Sequence, residues 1–424
     1  SSARVEMARL PRRVHVYAAL AGACGLMLAL AGKGASTRFS GDRGPQVFWA
    51  GTRAGAFSCK SIGARVGRRG RAKSHSGLVS RQAVREPMIL VGGENLIDFI
   101  QTADTTESCA SERASSAALP TYRANPGGSP YNAAKALGRQ LRGLGRVGYL
   151  TPISKDSLGE LLARGLEAAG VELLGERRAE ASSLALVSVC EGLPTYQFYR
   201  EGTAERMVTL EGLAASSPSE ASALLLGSLA LTGGPDADVW AEFYCARRES
   251  GMFTALDPNI RAFFIKDRNT FMARFDRVLS HTDLIKLSDE DLQWLAGGGA
   301  DLHDAAATLL IRSSARIIVV TLGTAGAFAL TRHDVTRDVR VPATPVGERL
   351  RDTVGAGDTF GATLLACLAD MESLSADALD AMSFDDIAAM LRRASCAASL
   401  NCQREGCDPP TRGEIDFATT HGEG

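Results

Sequence analysis

The stretch Asp352-Thr353-Val354-Gly355-Ala356-Gly357-Asp358-Thr359-Phe360 decides how the chain is read. Two glycines separated by an alanine follow a Val and precede an Asp, and an Ala- and Leu-rich segment runs on to Leu368. This is the pattern of a loop opening into a helix. A helix start leaves backbone N–H groups without acceptors and carries partial positive charge, so it can hold an anion. Glycine permits unusual backbone angles and lets a ligand come close. Asp358 is the informative residue, because a carboxylate beside a phosphate is repulsive and needs a reason. It either caps the helix, or it takes the proton of a hydroxyl that attacks phosphorus. The string is no Walker loop, since no Gly-Lys-Ser/Thr follows at the required spacing. It also lacks the third glycine of a dinucleotide fingerprint and lies late in the chain.

Working outward, short apolar runs at Met88–Val91, Arg146–Leu150, Leu224–Leu231, Thr254–Asp257, Asp283–Leu287 and Arg316–Thr321 read as strands. Helical stretches at 238–249, 271–279 and 302–313 separate the later ones, and Phe384–Leu400 reads as a further helix. Alternating β and α predicts a mainly parallel sheet covered on both faces, with ligands at the carboxyl ends of its strands. Leu184–Cys190 and Thr195–Arg200 alternate around Glu191-Gly-Leu-Pro194 and predict a hairpin. Asn125-Pro-Gly127-Gly128-Ser-Pro-Tyr-Asn132 leads into an Ala-rich helix with Asn132 in its first turn. Asp98 stands alone among apolar neighbours in Leu96–Ile100, and residues 101–119 read as a long loop.

In this order the motifs closely resemble the two signatures of the PfkB, or ribokinase-like, family of sugar kinases, over roughly 88–415. The resemblance implies an α/β chain with a three-layer α/β/α ribokinase-like fold, a mainly parallel central sheet and a small β lid. It implies a fructokinase-like, ATP-dependent sugar kinase with Asp358 as catalytic base and Gly355, Ala356 and Gly357 as the anion hole. Asp98, Gly127, Gly128 and Asn132 would line the sugar site, with Arg200 reaching from the lid. Asp257-Pro-Asn259-Ile-Arg261 resembles a stretch of fructokinase-like and ketodeoxygluconate kinase-like members, so Arg261 joins the sugar residues, with an exposed turn Arg as the alternative. Lys286-Leu-Ser288-Asp-Glu290-Asp291 occupies the place of the family's Asn-x-x-Glu motif. Either Asp291 or Glu290 would then organise Mg2+ through water. Lys286, Thr321, Gly323, Gly326 and Asn401 would face ATP, the glycines between two late strands and Asn401 in the segment resembling that beside the adenine pocket. Asp352 resembles a residue near the monovalent-cation loop of some relatives. Val354 supplies no side-chain ligand there, so K+ dependence stays open. Ketodeoxygluconate, ribose or nucleoside kinase activity are the alternatives within the family. A non-catalytic PfkB-like plastid scaffold is the alternative outside catalysis, and the intact Gly-Ala-Gly-Asp string weighs against it.

The net charge of −1 over 424 residues hides an asymmetry. Residues 1–87 hold 16 Lys and Arg against 3 Asp and Glu, so the remainder is acidic and gives no footprint for nucleic acid. Arg9, Arg12 and Arg13 precede an apolar run from Val14 to Ala31, followed by small residues. Residues 37–87 are then Arg-, Ser- and Gly-rich. Signal peptide followed by transit peptide is the expectation, with a membrane anchor as its alternative. It points to a plastid destination, with the cytoplasm as the other choice and no membrane attachment of the mature domain. The expected organisation is therefore a leader over 1–87, a kinase domain over 88–415 and a tail over 416–424. A small sugar and ATP are the expected partners, and a homodimer is the candidate assembly. The 9 cysteines lack paired spacing, which fits free thiols in a reducing compartment.

Overall fold

The computed structural model describes residues 86–102, 121–190 and 193–421. Residues 1–85, which hold nearly all of the predicted leader, and 103–120, which hold most of the predicted long loop, lie outside these. The strands are β1 (Met88–Gly92), β2 (Leu96–Gln101), β3 (Tyr122–Gly127), β4 (Arg146–Tyr149), β5 (Ile153–Ser154), β6 (Val171–Leu173), β7 (Arg177–Arg178), β8 (Leu184–Cys190) and β9 (Leu193–Tyr199). They continue with β10 (Ala223–Gly227), β11 (Phe253–Asp257), β12 (Leu284–Ser288), β13 (Ile317–Thr321), β14 (Ala327–Thr331) and β15 (Asp334–Val341). The helices are α1 (Ser129–Gln140), α2 (Ser157–Ala168), α3 (Leu210–Ser216), α4 (Pro235–Glu249), α5 (Arg268–Leu279) and α6 (Asp289–Ala296). After them come α7 (Leu302–Arg312), α8 (Ala356–Asp370), α9 (Ala376–Asp380), α10 (Phe384–Cys402) and α11 (Arg412–His421).

Nine strands form one sheet in the order β15-β14-β13-β12-β11-β10-β1-β4-β6. It is parallel from β6 to β13, and β14 and β15 pair antiparallel at one edge. Both faces are covered, as continuous apolar strands demand. Ile89 and Val91 of β1 pack with α1, α2, α8 and α10 on one face. Met88 and Leu90, pointing the other way, pack with α4, α5, α6 and α7. The fold is thus the three-layer α/β/α arrangement expected.

A second sheet, β3-β2-β8-β9, carries the predicted hairpin. It leaves the large sheet through Gly93–Asn95, directly after β1. Strand β3, which precedes the glycine pair, escapes the sequence pattern because Arg-Ala-Asn-Pro-Gly has no apolar alternation.

Three boundaries differ from expectation. The strand predicted over Leu224–Leu231 stops at Gly227, and Ser228–Leu231 forms a 3-10 turn opened by Ser228 at φ 55°. The hairpin returns earlier than expected, with β9 beginning at Leu193. The expected 415/416 boundary falls inside α11, whose Ile415 is fully buried against Cys396 and Ala397 of α10, so the folded unit includes this helix.

Candidate active site

The residues singled out by sequence gather where parallel strands end. Glu94 follows β1, Ser228 and Leu229 follow β10, Asp257 closes β11 with Asn259 and Arg261 beyond, and Ser288 closes β12. Two of the three non-glycine residues with positive φ among the described residues, Ser228 and Asn259, lie at this edge. Such backbone costs energy and persists where the surroundings hold it.

Helix α8 opens here. Its N-cap is Gly355 at φ 74°, and a Cβ on Gly355 would stand 2.3 Å from the Cys407 sulfur. Only glycine suits both the angle and the space. The loop before it is pinned by Asp352, whose carboxylate accepts from the Val354 N–H at 3.0 Å and the Gly406 N–H at 2.8 Å. Both Asp352 oxygens are therefore engaged by backbone. The Ala356 N–H donates to the Thr353 carbonyl at 3.2 Å, which corrects its place in the anion hole. The N–H groups of Gly357 and Asp358 take part in no such backbone bond and face the open end of the helix.

Asp358 stands in that first turn. Ser129 Oγ donates to its Oδ1 at 2.7 Å, and Asn132 Nδ2 donates to its Oδ2 at 2.8 Å. Both donors come from the first turn of α1, so two helix starts converge on one carboxylate. Burial raises the Asp358 carboxyl above its usual range, opposed by these two bonds and by the Lys286 and Arg261 cations. Asp98 stands on the lid sheet beside the glycine pair: a Cβ on Gly127 would lie 2.2 Å from its Oδ2, so glycine there makes room for the carboxylate. Burial pushes Asp98 up to about 7, against the pull of Arg261. Arg261 thus faces both acids, while its Nη1 also donates to Asn259 Oδ1 at 2.7 Å.

Beneath Asp358 lies a buried ion pair, Lys286 Nζ to Asp257 Oδ2 at 2.8 Å. Burial raises Asp257 to about 6 in spite of Lys286. Burial works against the Lys286 charge, yet Asp257, Asp358 and Asp291 together hold its ammonium above the usual lysine range. A cavity of about 20 Å³ borders Asp257, Lys286, Ser129 and Asp358, with Leu225 and Leu365 on its apolar side.

A half-buried carboxylate between hydroxyl-facing side chains and a glycine-capped helix start suits phosphoryl transfer to an alcohol. Comparison with known proteins decides the family. Residues 86–412 match the model of the pfkB family carbohydrate kinases. The chain belongs to this family. A fructokinase of Rhizobium leguminosarum bv. trifolii is 38% identical over 283 residues, 66% of this chain and 79% of that one. The protein named probable fructokinase-6, chloroplastic, from Arabidopsis thaliana is 27% identical over 312 residues, 73% of this chain and 76% of its own. Among solved structures, the Xylella fastidiosa fructokinase with bound ATP shares 26% identity at a TM-score of 0.68, covering 80% of this chain and all of that one. The chain is therefore an ATP-dependent sugar kinase and a fructokinase-like PfkB member.

Within this PfkB kinase the remaining expected residues fall into two groups. Thr321, Gly323 and Gly326 lie on the turn between β13 and β14 at the same carboxyl edge, with Gly323 at φ 55° and open space where its Cβ would be. Gly128 precedes α1 and Glu290 is exposed in the first turn of α6, its carboxyl raised by burial and by Asp289 and Asp291. Three others are committed elsewhere. Arg200 is 7% exposed, and its Nε and Nη2 donate to the two oxygens of Glu205 at 2.7 and 3.1 Å, so the guanidinium serves a buried pair and does not reach out from the lid. Asn401 is fully buried inside α10 and donates to the Val354 carbonyl at 2.8 Å, so its side chain supports the glycine loop from below and is not exposed to a ligand. Asp291 accepts from the Ile260 N–H at 2.6 Å and the Ser288 N–H at 3.0 Å, closing a capping box. Both Asp291 oxygens thus hold backbone N–H groups, whereas Glu290 is exposed. Among the described residues there is no group of three or more His, Cys, Asp or Glu side chains that could hold a metal ion.

Sequence reading missed Ser129, Glu94 and Asp257. A lysine inside the apolar strand Leu284–Leu287 signals a buried partner. Choosing Asp257 requires knowing that β11 and β12 are neighbours.

Proposed function

We propose that this kinase transfers the γ-phosphoryl group of MgATP to a primary hydroxyl of fructose. The observation that carries the reading is the position of Asp358, held by Ser129 and Asn132 at the glycine-capped start of α8 and faced by Arg261. In the reaction the sugar oxygen forms its bond to the γ-phosphorus, the bond to the bridging β–γ oxygen breaks, and the sugar proton passes to Asp358. The free N–H groups at the α8 start and the Arg261 guanidinium stabilise charge on the group in flight. Asp98 accepts from sugar hydroxyls and, with Asn132, sets the attacking one over Asp358. When bound, Mg2+ neutralises phosphate charge. Glu290 would help to hold it through water, with Asp291 engaged as the cap of α6.

The fructose assignment draws on the 38%-identical Rhizobium fructokinase. The full chain, assayed with MgATP against fructose, ribose, 2-keto-3-deoxygluconate and nucleosides, should show its highest kcat/KM with fructose. A preference for another acceptor would reassign the substrate, and ATP binding without turnover on any of them would favour the scaffold reading. We further propose that the basic leader directs the kinase to a plastid, a reading that the chloroplastic Arabidopsis relative supports. A fluorescent fusion of residues 1–87 found in the cytoplasm would contradict it.

A further inference from the structure

Glu94 is a buried carboxylate with no part in the reaction just described. It is 2% exposed and sits in the turn between β1 and β2. Its Oε1 accepts from the Ser129 N–H at 3.0 Å, and its Oε2 accepts from the Leu229 N–H at 3.0 Å. The turn itself is fixed from β4 and the residues after it: Tyr149 Oη donates to the Glu94 carbonyl at 3.0 Å, and the Gly93 N–H donates to Thr151 Oγ1 at 3.0 Å. One carboxylate therefore ties the first residue of α1 to the segment after β10. That first residue, through its hydroxyl, holds Asp358 at 2.7 Å.

We propose that Glu94 and Ser129 are positioning residues for the catalytic base: the Glu94 carboxylate seats the α1 start so that the Ser129 hydroxyl aims Asp358 at the sugar. The proposal rests on the reading of Asp358 as base. A carboxylate is the group needed at position 94 because it offers two acceptors and no donor. Protonation, or an amide in its place, keeps one acceptor and turns a donor toward the other backbone N–H, leaving that amide unpaired. The seat then loosens, and Asp358 loses its register with the sugar. Displacement by about 1 Å costs roughly 100-fold in rate.

The charge around Glu94 makes this seat sensitive to pH. Its carboxyl is raised to about 7: burial pushes it up, with a smaller push from Glu205, against the pull of Arg200 and the backbone bonds. Asp98 and Tyr149 face it as well. Beyond Ser129, Asp358 is faced by Lys286 and Arg261. Activity therefore requires Glu94 to be ionised alongside Asp358 and Asp98, and Glu94 adds one proton to those whose uptake lowers kcat on the acid side.

Glu94→Gln copies the protonated acid at every pH. It should lower kcat about 100-fold while the KM values for sugar and ATP stay within a few-fold, and its acid limb should take one proton fewer than that of the unaltered enzyme. An unchanged kcat, or an acid limb that takes as many protons as that of the unaltered enzyme, would overturn the proposal. Should Glu94→Gln not fold, Ser129→Ala decides. Removing a hydrogen bond to the ionised form moves the Asp358 carboxyl upward, read by 13C NMR titration with Asp358→Asn supplying the assignment. No upward movement in Ser129→Ala would overturn the link. This titration does not depend on turnover, so a failure of the base reading, seen as an active Asp358→Asn enzyme, is told apart from a failure of the seat.

Discussion

The two sides of the site are built in different ways. On the nucleotide side, Asp352, Val354, Gly355, Gly357 and Asp358 lie within seven residues, and the loop is held by backbone bonds to Asp352 and by Asn401 beneath it. On the sugar side, Asp98 comes from the lid, Ser129 and Asn132 from α1, Arg261 from the segment after β11 and Glu94 from the β1 turn. The first side is neighbourhood in sequence, and the second is neighbourhood in space. The first is rigid by local geometry, whereas the second stores buried acids whose carboxyls sit well above their usual range. A charge held against burial weakens the ligand-free fold in exchange for a poised site.

The largest expected effect tests what lies under both sides. Lys286→Met leaves the Asp257 carboxylate buried and unpaired, which should cost about 3–5 kcal/mol of stability at neutral pH, read by urea unfolding. The loss should shrink as pH falls, because Asp257, held at about 6 beside Lys286, takes its proton at higher pH still once the lysine is gone, and should largely vanish in Lys286→Met with Asp257→Leu. A loss independent of pH would mean the pair is not the cause.

Next comes the sugar side alone. Asp98→Ala should lower kcat/KM for the sugar by roughly 1–3 kcal/mol with little change in the ATP KM. Equal damage to both substrates would put Asp98 in the scaffold. The same residue gives a stability test whose sign follows from its raised carboxyl. The folded state holds the Asp98 proton more tightly than the unfolded chain, so that contribution is full below about pH 4 and is lost as pH rises through about 7. Asp98→Asn should therefore raise Tm at pH 8 and leave it nearly unchanged at pH 4. A lower Tm at pH 8 would show that Arg261 outweighs burial.

A smaller effect belongs to the nucleotide side. Asn401→Ala removes one buried bond to the Val354 carbonyl and should cost about 1 kcal/mol in stability, with a raised ATP KM and an unchanged sugar KM. The smallest effect is expected from the leader: deletion of residues 1–85 should leave Tm and turnover of the kinase domain as they are. Loss of cooperative unfolding would show that the leader is part of the fold.

This contrast also explains what could be read in the sequence. Gly355-Ala356-Gly357-Asp358 was legible because glycine, helix start and acid are consecutive, and the strand–helix alternation gave the sheet. The glycine pair before α1 was legible for the same reason. Arg200 and Asn401 were misplaced because a side chain's partner is set by tertiary contacts: nothing near Arg200 in the chain says that Glu205 will be buried against it, and Asn401 looks like loop until α10 runs on through Cys402. Asp291 stands in the sequence as one of two candidates, with Glu290, for organising Mg2+ through water, although Ser288 three residues earlier already spells a capping box. Ser129 and Glu94 carry no motif of their own, and their roles exist only once β1, β10, α1 and α8 meet.

The two sides join at Asp358, the proposed base. Asp358→Asn retains size and can still accept one hydrogen bond from α1, so the folded state should persist. In a single turnover with MgATP and fructose, kcat should fall by about 100- to 10,000-fold, while ATP binds as well as before or slightly tighter. Wild-type turnover in a well-folded Asp358→Asn protein would contradict the account, because the proton would then leave by another route.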